Sequence, residues 1–328
     1  MALRGLSGCI TDVPGFLLGH AQDPGALTGV SVVLCPPGTV GACELRGTAT
    51  ATRHMDALRA EHLVGNVDAV VLTGGSAFGL ASAEGVMEFL EGQGRGFPAA
   101  GYTVPTVAAG VLFDLRLGDG RVRPGPSMGR AACEAARAGE GPQGSVGAGT
   151  GATVGKLLGP GQAMKGGLGT ASLALPGGGR VGAVAVVNAY GGVHDPDTGE
   201  ILAGPRALPP GRGLVDTEGY LRERGRPAQG FASPGENTTL AVVATDVRLA
   251  KPEAHKLAQM AANGLIRAVR PSYTTVDGDM VFALSRGERE ADLDGLGAAA
   301  AAAVSRAICR AVVEADGFGK IPAWRDLR

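Results

Sequence analysis

The sequence predicts an α/β fold of stacked sheets and helices, and three observations carry that prediction. Short apolar runs that stop at Gly, Pro or Asn read as buried strands, at residues 29–35, 69–73 and 181–187. Apolar residues recur at three-and-four spacing in Ala254, Leu257, Ala258, Ala261, Ala262, Leu265 and Val269, which marks an amphipathic helix. With 45% hydrophobic residues but only 4% aromatics, and 56 glycines among 328 residues, the core must be Ala, Val and Leu in close contact, joined by tight turns.

Taken in order, residues 29–35 form a strand ended by Pro36-Pro37, and residues 69–73 a second that runs into Gly74-Gly75. Residues 77–90 then carry Phe78, Ala81, Val86, Phe89 and Leu90 at helical spacing, so strand, glycine turn and helix follow one another. A third strand, 181–187, enters Asn188-Ala189-Tyr190-Gly191. Residues 195–236 are rich in Gly, Pro, Arg and Glu without periodicity and read as an exposed linker, tolerant of nicking. Residues 240–246 form a further buried strand, and the amphipathic helix through Val269 follows. A turn and strand over 272–285 come next. The chain closes with an Ala-rich helix over 296–315, whose small residues suit close packing on a flat surface. No repeat period is visible.

Formal charge is −1, from 30 basic and 31 acidic residues that are scattered along the chain. That pattern offers no footprint for nucleic acid or an anionic membrane, and points to a small uncharged or mixed-charge substrate. Five cysteines, an odd number with no Cys-x-x-Cys pair, argue for reduced thiols over a disulfide framework or a zinc site. His54 and His62 are eight apart and His194 sits in a loop, so no histidine pair has metal-ligand spacing; neither metal nor cofactor is expected. No run approaches 18 apolar residues and no basic-then-apolar leader opens the chain, so the expected compartment is the cytoplasm.

Several motifs fail on inspection. Gly149 to Lys156 lacks the leading glycine of a phosphate loop, having Thr150 there, and carries Leu157 where Ser or Thr is required. Gly74-Gly75-Ser76-Ala77-Phe78-Gly79 would be a serine-hydrolase elbow only if residue 78 were Gly, so Ser76 reads as a helix N-cap. Asp277-Gly278-Asp279 places two carboxylates on one side of an entering strand, where each raises the other's pKa; the alternative is a solvated turn. Asn237-Thr238-Thr239 stands at the seam between the polar stretch and the strand. A threonine there can attack the preceding carbonyl, cut its own chain, and use its freed α-amine, with a reference pKa of about 7.7–8.0, as base. The alternative is two β-branched residues that merely open a strand, and the local motif by itself favours that reading.

The ordered set Gly74-Gly-Ser-Ala-Phe-Gly-Leu80, Gly147-Ala-Gly-Thr-Gly-Ala-Thr-Val-Gly-Lys156, Val187-Asn-Ala-Tyr-Gly191, Asn237-Thr-Thr239 and Asp277-Gly-Asp-Met-Val-Phe282 resembles the DmpA-type aminopeptidases, peptidase family S58. These are self-processing N-terminal-nucleophile hydrolases. They include D-aminopeptidase/esterases, β-aminopeptidases and nylon-oligomer hydrolases, the last branch being nearest in motifs. The resemblance spans nearly the whole chain and outweighs the local alternative. It implies a four-layer α/β/β/α sandwich and a single catalytic domain over residues 1–328. It also implies scission between Asn237 and Thr238 into chains 1–237 and 238–328 that stay associated, no cofactor, and a homo-oligomer, typically a tetramer of αβ units.

Residue by residue, the resemblance makes Thr238 the nucleophile and Asn188 an amide donor to the oxyanion. Lys156 becomes a site-lining lysine, and Asp277 and Asp279 the acidic pair that orients Thr238's ammonium or hydroxyl. Phe113 stands where the nylon-oligomer branch carries a tyrosine, so the phenolic donor is lost; with Gly75 and Ser76 it belongs to the expected substrate pocket. The implied partner is a small peptide or amide, with neither nucleic acid nor membrane. Two competing functions remain open at this point: acyl transfer of the ornithine acetyltransferase kind, of which Lys165-Gly166-Gly167-Leu168 is a faint echo, and a non-catalytic small-molecule or nucleotide binder using the 147–156 loop.

Overall fold

In the computed structural model, which describes residues 7–209, 211, 213–227 and 236–327, ten strands form two five-stranded sheets. They are β1 (Leu17–Asp23), β2 (Thr28–Leu34), β3 (Val40–Leu45), β4 (Thr52–Arg53), β5 (Ala69–Thr73), β6 (Val107–Val111), β7 (Gly167–Ala174), β8 (Arg180–Asn188), β9 (Thr238–Val247) and β10 (Met280–Arg289). The first sheet has the order β1-β2-β5-β6-β4, the second β7-β8-β9-β10-β3. The helices are α1 (Ser82–Glu91), α2 (Pro126–Glu134), α3 (Thr217–Arg224), α4 (Lys251–Ala268) and α5 (Leu293–Val313).

Strands buried on both faces explain why the apolar runs are continuous and do not alternate with polar residues. From β9, Leu240, Val242 and Ala244 point between the sheets and meet Val33, Val70, Leu72 and Phe282. The intervening Ala241 and Val243 point the other way, into a core shared with α4 and α5. On the first sheet, Val30, Val32, Val71 and Ala109 pack against Ala83, Val86 and Leu90 of α1 and Ala132 of α2. The layers therefore run α/β/β/α, as the resemblance implied.

The Ala-rich helix has its explanation in contact distances. A Cβ placed on Gly169 of β7 would sit 2.1 Å from Ala307 O, and one on Gly167 2.2 Å from Ala311 O, so α5 rests directly on the strand backbone. Although its length and composition would suffice to cross a membrane, 67% of its most apolar window is buried in the fold.

Two expectations need correction. Residues 76–91 open as a 3-10 turn, Ser76–Ala81, before α1; its N-cap is Gly75 at φ 80°, and Ser76 itself has φ 54° and caps nothing. The chain leaves β5 in a left-handed turn that only Gly75 adopts without strain, and Asp114 Oδ1 takes the Gly75 N–H at 2.8 Å in place of a serine cap. The expected linker 195–236 is structured where described: it contains a strand, Ile201–Ala203, and α3, which Asp216 caps through the Glu218 N–H. Asp195 is buried and closes a turn by accepting from the N–H groups of Asp197 and Thr198. Side-chain turns of this kind need no hydrophobic periodicity, which is why the stretch reads as featureless. Residues 210, 212 and 228–235 of it lie outside the described residues.

Candidate active site

The second sheet brings the predicted residues to one place. β8 and β9 pair antiparallel with Asn188 directly opposite Thr238. β9 and β10 pair in parallel with Leu240 opposite Met280, and an isolated bridge from Asn237 to Asp277 extends that pairing backwards. The head of the central strand thus meets the ends of both neighbours.

Thr238 is 3% exposed. Its hydroxyl donates to Asn237 O at 2.6 Å, and the Gly278 N–H donates to the same oxygen at 2.8 Å. Two donors polarise this carbonyl, and the Gly278 amide lies where charge would develop if the hydroxyl attacked the carbon. A side chain at 278 is excluded, since its Cβ would lie 2.6 Å from Ala49 O and 2.8 Å from Thr238 Oγ1.

Asn188 is fully buried and fully used. Its Nδ2 donates to Glu236 O at 3.0 Å and Phe113 O at 3.1 Å, while Oδ1 accepts from Thr153 N and from Lys156 Nζ, both at 3.0 Å. Lys156 follows Gly155, which turns at φ 72°, and is tied to the β8 exit by its N–H to Tyr190 O. Its ammonium donates to Asn188 O at 2.8 Å and Glu236 O at 3.3 Å. Burial pulls its pKa down to about 7 against the opposing pull of Asp277, Glu236 and Asp279.

The aspartates are buried rather than solvated. Asp277 accepts from Tyr190 N at 3.2 Å and from the Thr274 hydroxyl; Asp279 accepts from Thr239 N at 2.6 Å and Tyr273 N at 2.8 Å. Burial raises both pKa values, and the neighbouring Asp277 charge helps push Asp279 up to about 8. Strand alternation puts Thr238 and Gly278 on the inter-sheet face with Leu240 and Met280, and Thr239, Asp277 and Asp279 on the helix face. In the continuous chain Asp279 therefore holds the backbone one residue past Thr238, Asp277 holds Tyr190 N, and neither carboxylate bonds the Thr238 hydroxyl.

Asp279 also predicts a pH effect. Its folded pKa is raised from 3.8 to about 8, so the folded state keeps a proton that the unfolded state loses, and stability falls as pH rises across that window. Lys156, lowered from 10.5 to about 7, acts oppositely, adding stability as pH rises across its own window. Asp279→Asn is expected to flatten the decline in urea midpoint between about pH 5 and pH 8. An unchanged decline in the variant would contradict the assignment.

Of the expected pocket residues, Phe113 lines a cleft of about 160 Å³ together with Asp114, Arg116, Lys156, Glu236 and Ile321. Gly75 and Ser76 do not line it; Gly75 reaches it only through its bond to Asp114, and Ser76 N–H is bound by Leu112 O at 2.9 Å. A larger cavity, about 620 Å³, lies among Ile201, Leu202, Arg206, Leu214, Trp324 and Leu327 and shares no lining residue with this cleft. The cleft adjoins features that sequence reasoning missed. Glu236 pairs with Arg116 at 2.5 Å. Lys165, wholly buried, donates to Gly149 O, Ala152 O and Gly166 O, and burial lowers its pKa to about 7 against the pull of Asp114. The Lys165-Gly166 dipeptide was visible as sequence; its burial among loop carbonyls was not.

A threonine-headed strand end between two packed sheets, with an asparagine amide opposite and a buried lysine beside it, belongs here to a hydrolase acting on amide or peptide bonds. The chain belongs to peptidase family S58, whose sequence model matches residues 8–321. It is 41% identical to an uncharacterized aminopeptidase of Mycobacterium leprae, covering 96% of this chain and 92% of the relative. It is 30% identical to a 6-aminohexanoate-oligomer endohydrolase of an Agromyces species, covering 84% of this chain and 74% of that protein. Among solved structures, a Burkholderia sp. beta-aminopeptidase superposes with a TM-score of 0.69 at 23% identity, over 100% of this chain and 94% of that one. The L-aminopeptidase D-Ala-esterase/amidase of Ochrobactrum anthropi, described as a variant of the Ntn hydrolase fold, gives 0.69 at 18% identity over 96% of this chain and 88% of that one.

Proposed function

We propose that this protein is an autoprocessing N-terminal-threonine hydrolase that cleaves small peptide or amide substrates through an acyl-enzyme. The observation that carries the reading is the convergence of the Thr238 hydroxyl and the Gly278 N–H on Asn237 O. In processing, Thr238 Oγ bonds to the Asn237 carbonyl carbon, the C–N bond breaks, and its nitrogen leaves as the α-amine with the hydroxyl proton. Water then hydrolyses the Asn237 ester, leaving chains 1–237 and 238–328 as one catalytic unit. In turnover the α-amine takes the Oγ proton as Oγ attacks a substrate carbonyl, the amine product departs, and water releases the acyl group.

Asn188 supplies the amide donor for the oxyanion, and Lys156 adds positive charge beside it. Asp279 fixes the strand behind the nucleophile through the Thr239 N–H, while Asp277 holds the Tyr190 N–H and favours the charged form of Lys156. Phe113 offers the cleft an apolar wall with no phenolic donor, so a substrate preference cannot simply be taken over from a tyrosine-bearing relative. The names aminopeptidase and 6-aminohexanoate-oligomer endohydrolase borne by its relatives fit amide hydrolysis.

Acid-quenched turnover followed by mass spectrometry is expected to find the substrate's acyl mass on the fragment beginning at Thr238, attached to that residue. An acyl adduct confined to residues 1–237 would contradict the assignment.

A further inference from the structure

The intact chain already occupies its own active site. Asn188 Nδ2 has two N–H groups, and they are spent on Phe113 O and Glu236 O. No amide hydrogen remains for a substrate oxyanion, so turnover requires one acceptor to withdraw. Phe113 sits mid-chain directly after β6 and Leu112, whose N–H is bound to Thr73 O. Glu236 instead becomes the penultimate residue of a free chain end once the Asn237–Thr238 bond is cut. Glu236 is therefore the group that moves. Two further attachments show what it vacates: its carbonyl also takes Lys156 Nζ at 3.3 Å, and its carboxylate, 9% exposed, pairs with the half-exposed Arg116 at 2.5 Å. Lys156, Glu236 and Arg116 all line the cleft, whereas Thr238 is not part of its lining.

We propose that Glu236 is an internal substrate mimic, and that Arg116 is a specificity residue which in the processed enzyme binds a carboxylate on the acyl part of the substrate. This rests on the self-processing reading above. The spacing is set by glutamate itself: its carbonyl oxygen lies on Asn188 and Lys156 while its side-chain carboxylate lies on Arg116. The favoured substrate is an amide whose acyl group carries a carboxylate at the spacing of a glutamyl residue. A guanidinium suits this role because its donor fork matches a carboxylate in geometry as well as charge.

The test compares L-glutamyl-p-nitroanilide with the isosteric, neutral L-glutaminyl-p-nitroanilide on the processed protein. The expected kcat/KM ratio favours the glutamyl amide by about tenfold, mainly through KM, the scale of one added charge-assisted contact. Arg116→Gln is expected to bring the ratio near one, and Arg116→Glu to reverse it. A processed wild-type protein that takes the glutaminyl amide equally well, or cleaves neither, overturns the proposal without touching the processing reading. So does a preference that survives in Arg116→Gln. Failure of processing itself would appear separately, as an uncut chain on a denaturing gel.

Discussion

Thr238→Ala is expected to yield one uncut chain with activity lowered on the order of 10⁴-fold or more, the scale of losing a nucleophile outright. The variant should still fold. The hydroxyl's hydrogen bond is local, to the adjacent Asn237 carbonyl, and that oxygen keeps its bond from the Gly278 N–H. Alanine also leaves the strand pairing with Asn188 intact. Thr238→Ser separates hydroxyl chemistry from shape: it should be cut and retain activity, because serine keeps the attacking oxygen. Denaturing gels and an amide-hydrolysis assay read both effects. A cleaved Thr238→Ala chain, or one with substantial activity, would move the nucleophile elsewhere, with Thr239 first in line. Thr239 is disfavoured beforehand, since it points to the helix face and its N–H is held by Asp279 Oδ1.

Asn188→Ala is expected to lower kcat by about 10²–10³-fold, the loss found when one oxyanion donor is removed, with a much smaller change in KM. The site pays in stability as well. Thr153 N and Lys156 Nζ lose their shared acceptor, and Glu236 O loses a donor, in buried or partly buried surroundings. Unsatisfied groups of this kind cost about 1–3 kcal/mol each, less where another partner remains, so a lowered urea midpoint should accompany the kinetic defect. Asn188→Asp keeps an acceptor for Thr153 and Lys156 while removing both N–H donors, and should therefore lose kcat with the fold better preserved. A kcat within about threefold of wild type in both variants would contradict the donor role.

The layers of this fold were legible because fully buried strands and Ala-rich helices leave unbroken apolar runs and three-and-four spacing. The segment after Asp195 was not, because Asp195 and Asp216 build its turn and cap from side-chain hydrogen bonds that carry no apolar period. Within the site, Thr238, Asn188 and Lys156 could be named from motifs; strand pairing then accounts for the meeting of Thr238 and Asn188, and the Lys156 N–H to Tyr190 O for the third. Gly278 was hidden between two more conspicuous aspartates, and its contribution is a backbone N–H that no residue type announces. Arg116 and Glu236 lie 120 residues apart in the chain, so their pairing is a property of the fold alone. The aspartates were read as two carboxylates on one side of a strand, with a solvated turn as the alternative; they are buried, Asp277 raises Asp279, and they lie on the face opposite the Thr238 hydroxyl. Period-two alternation from Leu240 and Met280 would have shown this, had the register between the two strands been known.

N-terminal sequencing of the purified, active protein, joined with its intact masses, tests the central claim most directly. The account predicts two fragments, one of which begins Thr238-Thr239-Leu240 and the other of which ends at Asn237. An active preparation consisting only of the continuous chain, or one cut at any other bond, would contradict it.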